Sequence, residues 1–369
     1  SSREIPRARL RGLIENCTHG APGHRAAAPS FLRLRAVSPC YNGPSLFPLA
    51  RETVTHLFDI PGLELTPVEP IEPDDLPLSL ERNGIVLCVR IENPDPSDEN
   101  MAVALLPADA KLRILSIRDA HRRSQSLWAR MLLALLSHRS GVGLYEHPPY
   151  GPRAKNPGKN LQYVSIAHTK LYAAAAMSPQ PVGIDAEFCR KLRDPKAICE
   201  YAFPSEVAAY TLEQLEGEND FPEVLPFYAL WGMREATIKL NAPYGDFRLS
   251  LTDTPLETTM PVLRETRTNE ILYPRFYVTG NGHWGGLCQG FEDPDAENPP
   301  EENPTILTVV TIAPMVHGEM RMQDLLQYFE KHCPRAWERA KKAVSLGVAH
   351  DPTAPEWERL NETAVEWPL

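Results

Sequence analysis

Two acidic side chains stand close together near the middle of the chain. Asp185 and Glu187 are separated by one residue and end a short apolar segment that begins at Val182. On an extended chain, residues i and i+2 point to the same side of the strand. Two carboxylates held side by side repel each other unless a cation lies between them. The pair is therefore a candidate for half of a cation site, and the alternative is a strand that runs out into solvent.

A second group of reactive side chains follows on a predicted helix. Residues 227–240 carry apolar side chains at roughly helical spacing. On such a helix Trp231, Glu235 and Lys239 are four residues apart and share one face. The carboxylate of Glu235 would add a third oxygen ligand to the acidic pair and leave positions for water and phosphate, as is usual for Mg²⁺. By itself, the same stripe also fits a solvent-exposed helix face.

Three short motifs occur in an order that resembles a known family. They are Gly183-Ile184-Asp185-Ala186-Glu187, Phe203-Pro204-Ser205-Glu206 and Trp231-Gly232-Met233-Arg234-Glu235-Ala236-Thr237-Ile238-Lys239. Over about residues 84–315 the chain resembles the 4′-phosphopantetheinyl transferases of the monomeric, two-lobed type that activates surfactin synthetase. Two positions depart from the family pattern, because Arg234 and Ala167 stand where a lysine and a serine are usual.

The resemblance implies both a fold and an activity. The fold class would be α+β, a pseudo-twofold pair of similar α/β lobes with the active site in the cleft between them. The activity would be Mg²⁺-dependent transfer of the phosphopantetheine arm of coenzyme A to a serine of an apo carrier protein. By resemblance Mg²⁺ is held by Asp185, Glu187 and Glu235, and the catalytic residues are Glu235, Lys239 and His168.

Basic residues upstream of the carboxylate pair are candidates for holding phosphates. Residues 146–160 form a predicted loop rich in glycine and proline, where the backbone can approach phosphates closely and cations can neutralise them. A basic loop of this kind is also often merely solvated. The resemblance implies that coenzyme A contacts six residues, namely Arg123, Arg153, Lys155, Lys159, His168 and Lys239. Of these, Arg123 lies on the long helix predicted over residues 116–139, whose basic face is alternatively a solvated surface.

Bulk composition excludes several classes of protein. The 369 residues allow two domains or one large two-lobed domain. The net charge of −10 argues against a general nucleic-acid binder and against binding to an anionic membrane surface. The seven cysteines have no Cys-x-x-Cys spacing, which favours neither a disulfide framework nor a zinc site. No apolar run is long enough to span a membrane. We therefore expect a cytoplasmic protein, and by resemblance a monomer.

Domain boundaries follow from the motifs and from proline content. Residues 1–83 are predicted to be a proline-rich arm or linker, and residues 84–180 the first transferase lobe. Residues 181–315 would form the second lobe, with the metal and catalytic motifs. Residues 316–369 would form a helical extension, with amphipathic helices near 322–331 and 335–346.

Two other functions remain open from the sequence. The substitutions at Arg234 and Ala167 are compatible with a catalytically weak relative that binds coenzyme A or a carrier protein as a regulatory module. An arginine keeps the charge of lysine but not its compact geometry. The third alternative is an unrelated Mg²⁺-dependent phosphoryl-transfer enzyme, which the ordered set of motifs argues against.

Overall fold

The computed structural model describes most of the chain after residue 54. The described residues are 55–56, 64–76, 83–91, 94–147, 151–155, 163–190, 192–215, 224–244, 246–253, 259–272, 274–279 and 305–351. All of them belong to one compact unit that comprises residues 51–369. They form a mixed α+β fold, as the resemblance implied.

Eight α-helices and four β-sheets make up this described part of the chain. The helices are α1 (Pro96–Leu105), α2 (Ala108–Leu115), α3 (Ala120–Ser140), α4 (Pro195–Ala202), α5 (Ser205–Leu215), α6 (Leu225–Tyr244), α7 (Met322–His332) and α8 (Pro334–Ser345). The strands are β1 (Thr55–His56), β2 (Glu64–Pro67), β3 (Gly84–Arg90), β4 (Leu144–His147), β5 (Gly151–Ala154), β6 (Tyr163–His168), β7 (Tyr172–Ser178), β8 (Val182–Phe188), β9 (Phe247–Asp253), β10 (Thr259–Glu265), β11 (Ile271–Leu272), β12 (Arg275–Thr279), β13 (Thr305–Thr311) and β14 (Met315–Met320). No helix among these residues is both long and apolar enough to cross a membrane.

The two larger sheets contain most of the strands. One has the order β1-β2-β12-β13-β8, and the other has the order β14-β3-β7-β6. Strand β8 lies at the end of the first sheet and pairs antiparallel with β13, which places Asp185 opposite Thr308. The strand that carries the acidic pair is therefore an edge strand, with one side of its backbone available to other elements.

Alternation of side chains along the strands explains how the two sheets pack. In β3, Val86 and Cys88 belong to a core shared by both sheets, whereas Leu87 packs against helices. In β8, Ile184 and Ala186 face the same shared core. Successive strand residues point to opposite faces, so the acidic residues of β8 point to the other face of their sheet. The acidic pair therefore lies on the helix-covered side.

Helices cover the outer face of each sheet. Helices α1, α2, α3, α7 and α8 share one core with β3 and β7, and α4, α5 and α6 share another with β12 and β13. Local capping fixes where several helices begin: the side chain of Asp119 accepts a hydrogen bond from the backbone N–H of Arg122 at 2.8 Å. Helix α3 ends at Gly141, whose φ of 71° suits a left-handed cap.

Glycines allow α6 to approach its sheet closely. A Cβ added to Gly183 of β8 would lie 2.1 Å from the backbone carbonyl oxygen of Ala236 in α6. A Cβ added to Gly232 of α6 would lie 2.3 Å from Oγ1 of Thr308 in β13. Neither distance is attainable for a real Cβ, so both positions require glycine at this helix–sheet distance. The register of α6 over β8 follows from these contacts.

Several sequence predictions are confirmed. The helix expected at 227–240 is part of α6, the long helix at 116–139 corresponds to α3, and the two C-terminal helices are α7 and α8. The segments predicted outside the lobes also contribute strands. Residues 64–67 form β2, which pairs in parallel with β12, and residues 315–320 form β14, which pairs in parallel with β3. Long-range pairing of this kind leaves no local signal in the sequence.

We predict that Gly183→Ala lowers the free energy of unfolding by about 1–3 kcal/mol, because a methyl group is forced against a helix backbone that cannot rotate away. Gly232→Ala is the matched variant. Its methyl group meets the side-chain hydroxyl of Thr308, which can rotate, so the free energy of unfolding should fall by less than in Gly183→Ala. Chemical denaturation of both variants measures the difference. Equal losses, or a larger loss for Gly232→Ala, would contradict this account of the packing.

Candidate functional site

The face of α6 that passes over β8 brings the two sequence motifs together. Nζ of Lys239 donates to Oδ1 of Asp185 at 2.7 Å and to the backbone carbonyl oxygen of Ile184 at 2.9 Å. Glu235, one helical turn before Lys239, is close enough for its charge to act on both Asp185 and Glu187. Residues separated by some fifty positions in the sequence thus form one site (Asp185, Glu187, Glu235 and Lys239), which we call the carboxylate site.

Electrostatic repulsion in the carboxylate site is visible in its pKa values. Burial raises the pKa of Glu187 well above its usual range, and the neighbouring carboxylate of Asp185 raises it further. Burial and the charge of Asp185 also raise the pKa of Glu235, although Arg234 and Lys239 oppose this rise. Two cations therefore face three carboxylates, and the site favours additional positive charge or a retained proton.

Buried oxygen atoms in the carboxylate site show whether it suits a metal ion. Oδ2 of Asp185 and Oγ1 of its cross-strand neighbour Thr308 are both buried, and apart from the Glu187 carboxyl beside Asp185 they have no hydrogen-bond partner among the described residues. Buried polar atoms without partners are costly, so an oxygen-seeking cation suits this donor set. Three carboxylates are also the ligand type that Mg²⁺ prefers. In the described part of the chain, however, no three His, Cys, Asp or Glu side chains are already arranged as a metal centre.

The cations of the carboxylate site are more exposed than its carboxylates. The side chains of Lys239 and Arg234 are 34% and 30% exposed, whereas those of Glu235 and Asp185 are 19% and 11% exposed. A ligand from solvent therefore meets positive charge before it meets the carboxylates. An anionic ligand is favoured in this approach, and the carboxylates behind the lysine can hold a cation that the ligand brings with it.

His168 lies at the end of β6 near the same site. The pKa of His168 is lowered to about 4, mainly by burial and in addition by the positive charges of Lys239, Arg122 and Arg130. The imidazole is thus neutral at physiological pH and surrounded by cations. A neutral imidazole among cations can donate one hydrogen bond to an anion and accept another.

Helix α3 holds the end of β6 in place. Nε2 of Gln125 donates to the backbone carbonyl oxygens of Thr169 and Lys170, at 2.5 and 3.3 Å.

A buried ion pair also joins α3 to β4. Arg130 of α3 donates to both carboxylate oxygens of Glu146 in β4, at 2.6 and 3.0 Å. Buried ion pairs of this geometry fix orientation more than they add stability. No spacing in the sequence indicates this pair, because it depends on where β4 lies relative to α3.

The remaining predicted phosphate ligands are Arg123, Arg153, Lys155 and Lys159. The guanidinium of Arg123 donates to the backbone carbonyl of Ile117 at 3.1 Å, and it is Arg122 whose charge acts on His168. Arg153 lies on β5, which is adjacent to β6, and donates to the carbonyl of Pro152 at 3.2 Å. Lys155 follows β5 and is half-buried. Lys159 lies outside the described residues.

Hydroxyl groups of β6 and the turn after it cover the open edge of β8. Oγ of Ser165 accepts a hydrogen bond from the backbone N–H of Ile184 at 3.2 Å. Oγ1 of Thr169 accepts one from the backbone N–H of Phe188 at 3.0 Å. These side-chain acceptors thus satisfy N–H groups that would otherwise remain unpaired at the edge of the sheet. They also fix β8, and with it Asp185, relative to His168.

Ala167 interrupts this row of hydroxyl groups. It lies midway between Ser165 and Thr169 and is buried in the core shared by the two sheets. In an antiparallel ladder the N–H groups of alternate residues point to the same side, so the N–H of Ala186 points toward β6 as that of Ile184 does. Alanine offers no acceptor there. The family's usual serine at this position would therefore complete the row.

We predict that Ala167→Ser raises the free energy of unfolding by about 0.5–1.5 kcal/mol, because the new hydroxyl accepts from Ala186. Ala174→Ser is the matched control, since Ala174 lies in the same core but on the central strand β7, whose backbone is already paired. It should lower the free energy of unfolding by about 1–3 kcal/mol, as expected for a buried hydroxyl without a partner. Urea denaturation of both variants measures this, and a loss of stability in Ala167→Ser would contradict the proposed pairing.

The low pKa of His168 predicts a loss of stability in mild acid. The unfolded chain binds a proton at this residue below about pH 6.5, while the folded protein resists it down to about pH 4. Between these values the free energy of unfolding should fall by on the order of 2–3 kcal/mol as the pH decreases. His168→Gln should remove most of this dependence.

Denaturation midpoints measured from pH 7 to pH 4 check the prediction. His147→Gln is the control, because His147 is an exposed histidine at the end of β4. A pH profile of His168→Gln that matches that of the wild type would show that other groups cause the acid sensitivity.

Known proteins provide no independent assignment. No protein-family model matches the chain, and a search of the curated proteins finds no match either. The function is therefore inferred from the motifs and from the geometry of the carboxylate site.

Proposed function

We propose that this chain is a Mg²⁺-dependent 4′-phosphopantetheinyl transferase that modifies an apo carrier protein with coenzyme A as co-substrate. The observation that carries the proposal is the convergence of Asp185 and Glu187 on β8 with Glu235 and Lys239 on α6. In the sequence these residues belong to two separate motifs some fifty positions apart. Chance matches to short motifs have no reason to meet in one site.

The co-substrate has the chemistry that this site suits. Coenzyme A carries a diphosphate and a ribose phosphate, so it needs cations around its phosphates and a divalent ion on its diphosphate. Asp185, Glu187 and Glu235 are the residues that would hold Mg²⁺, which supplies charge neutralisation at the phosphoanhydride when bound. Lys239, His168, Arg122 and the basic residues near β5 are available for the remaining negative charge.

Each residue of the site has a role in the proposed transfer. Glu235 accepts the proton of the carrier serine as its hydroxyl oxygen attacks the phosphorus nearest the pantetheine arm. The new bond joins this oxygen to phosphorus, and the bond from that phosphorus to the bridging oxygen breaks. Lys239 neutralises charge that develops on the phosphate. The products are the modified carrier and adenosine 3′,5′-bisphosphate, which leaves with the bridging oxygen.

The proposal includes the finer architecture that the resemblance implies. Two sheets packed face to face, each with helices on its outer face, are the layers that a pseudo-twofold pair of α/β lobes would supply. His168 and α3 would come from the first lobe, and β8 and α6 from the second. The substrate cleft would then lie between them.

Two observations favour the alternative of a non-catalytic module. Lys239 already bonds to Oδ1 of Asp185, and no three metal-binding side chains in the described ranges are arranged as a metal centre. In that function coenzyme A or a carrier protein would bind without transfer. The two functions differ in whether a covalent product forms.

Intact-mass analysis of apo carrier proteins, incubated with the chain, coenzyme A and Mg²⁺, tests the proposal. We expect a mass gain of one phosphopantetheine arm. Glu235→Gln should reduce the rate on the order of 10²-fold to 10⁴-fold, because the amide cannot accept the serine proton. Glu338→Gln is the matched control, since Glu338 is an exposed glutamate on α8, outside the three motifs.

Each outcome of the assay is informative. Transfer that is lost with Glu235→Gln and kept with Glu338→Gln supports the enzyme and the role of Glu235. Binding of coenzyme A by calorimetry without transfer to any carrier would replace the enzyme by the non-catalytic module. Absence of both binding and transfer would reject both functions.

A further inference from the structure

Arg234 connects the carboxylate site to an aromatic ring. Its guanidinium carbon lies 5.6 Å from the centroid of the Trp231 ring, and Nη1 is hydrogen-bonded to Oε1 of Glu235. The Arg234 side chain is 30% exposed, so the stacking and the ion pair are both partly shielded from water. One side chain thus holds a ring on one side and the proposed base on the other.

The ring itself is anchored in the core. Trp231 packs against Phe227, with ring centroids 5.8 Å apart and ring planes tilted by 33°. Phe227 is buried and makes edge contacts with Phe203 at 6.0 Å and with Tyr228 at 5.2 Å. Aromatic groups packed in this way have few accessible rotamers, so the surface that Arg234 stacks on is rigid.

Helix geometry explains why the stacking matters. Adjacent residues on a helix do not face each other, whereas residues three apart do. A pair between Arg234 and Glu235 therefore requires the arginine side chain to turn along the helix surface. Stacking on Trp231, three residues earlier, accounts for this direction. A planar guanidinium can lie over an aromatic ring and at the same time donate hydrogen bonds from its edge. The ammonium group of a lysine is a point charge and combines the two contacts less well.

We propose that Arg234, stacked on Trp231, is a positioning residue that fixes the orientation of the Glu235 carboxylate. This inference rests on the proposed function, because the orientation of Glu235 affects a rate only when the carboxylate acts on a substrate. It assigns a role to the arginine that stands where the resembling family has lysine. The arginine at position 234, in place of the family's lysine, then changes how the Glu235 carboxylate is oriented.

A kinetic cycle of variants tests the proposal: Arg234→Ala, Trp231→Leu and the double variant. Each single change should lower kcat on the order of tenfold to a hundredfold and leave KM for coenzyme A unchanged, because a misplaced base slows chemistry more than binding. The double variant should be no slower than the slower single variant, since both changes remove one linkage. Multiplicative losses, or losses confined to KM, would overturn the proposal.

Two further variants separate stacking from charge and from general damage. Arg234→Lys keeps the charge and loses the planar stack, so it should also lower kcat, and full activity of this variant would overturn the role of stacking. Arg248→Ala is the matched control, because Arg248 is an exposed arginine on β9 paired with Asp246 at 3.9 Å. It should leave kcat unchanged.

A spectroscopic measurement tests the linkage without any turnover. The Nε–H signal of Arg234, assigned by its disappearance in Arg234→Lys, should shift in Trp231→Leu through loss of the ring current and in Glu235→Gln through loss of the ion pair. A signal that responds to neither change would overturn the inference. If the wild-type protein transfers no phosphopantetheine, the proposed function fails, and this spectrum still decides whether Arg234 links Trp231 to Glu235.

Discussion

The close approach of α6 to its sheet is the constraint on which the carboxylate site depends. Gly183 meets the carbonyl of Ala236, and Gly232 meets Thr308, so backbone and small side chains are in contact where larger residues would hold the helix away. At this distance Lys239 reaches Asp185 and Glu235 faces the same strand. A larger residue at either glycine would hold α6 farther from β8, which carries the other half of the site. The distance between α6 and its sheet therefore determines which charges of the site interact.

The charges that packing brings together are not balanced by the chain alone. Three carboxylates share a partly buried space with two cations, and burial makes each unbalanced charge more costly than it would be in water. The raised pKa of Glu187 and the buried Oδ2 of Asp185 are two signs of the same imbalance. Sites that store such a cost usually have a function that uses it, because a protein gains no stability from leaving it unresolved.

Polar groups from the first part of the chain complete the surroundings of the site. The open edge of β8 is covered by hydroxyls of Ser165 and Thr169, and the same turn is held by Gln125 of α3. These contacts join the strand that carries the acidic pair to the strand that ends in His168. Burial, together with cations on α3 and α6, keeps that histidine neutral. The site is thus built from elements on both sides of the core shared by the two sheets.

The sequence by itself determined the local elements and the types of residue in the site. Helical spacing indicated α6 and α3, i and i+2 spacing placed Asp185 and Glu187 on one side of a strand, and the motif order suggested that Glu235 and Lys239 join them. These features are local, so short-range physics is sufficient to predict them. Tertiary structure decided which cations meet which carboxylates, that Arg122 acts on His168, that Arg130 pairs with Glu146, and that strands from outside the predicted lobes extend both sheets. Such contacts join residues far apart in the chain, and they depend on how closely the layers pack, which no spacing in the sequence specifies.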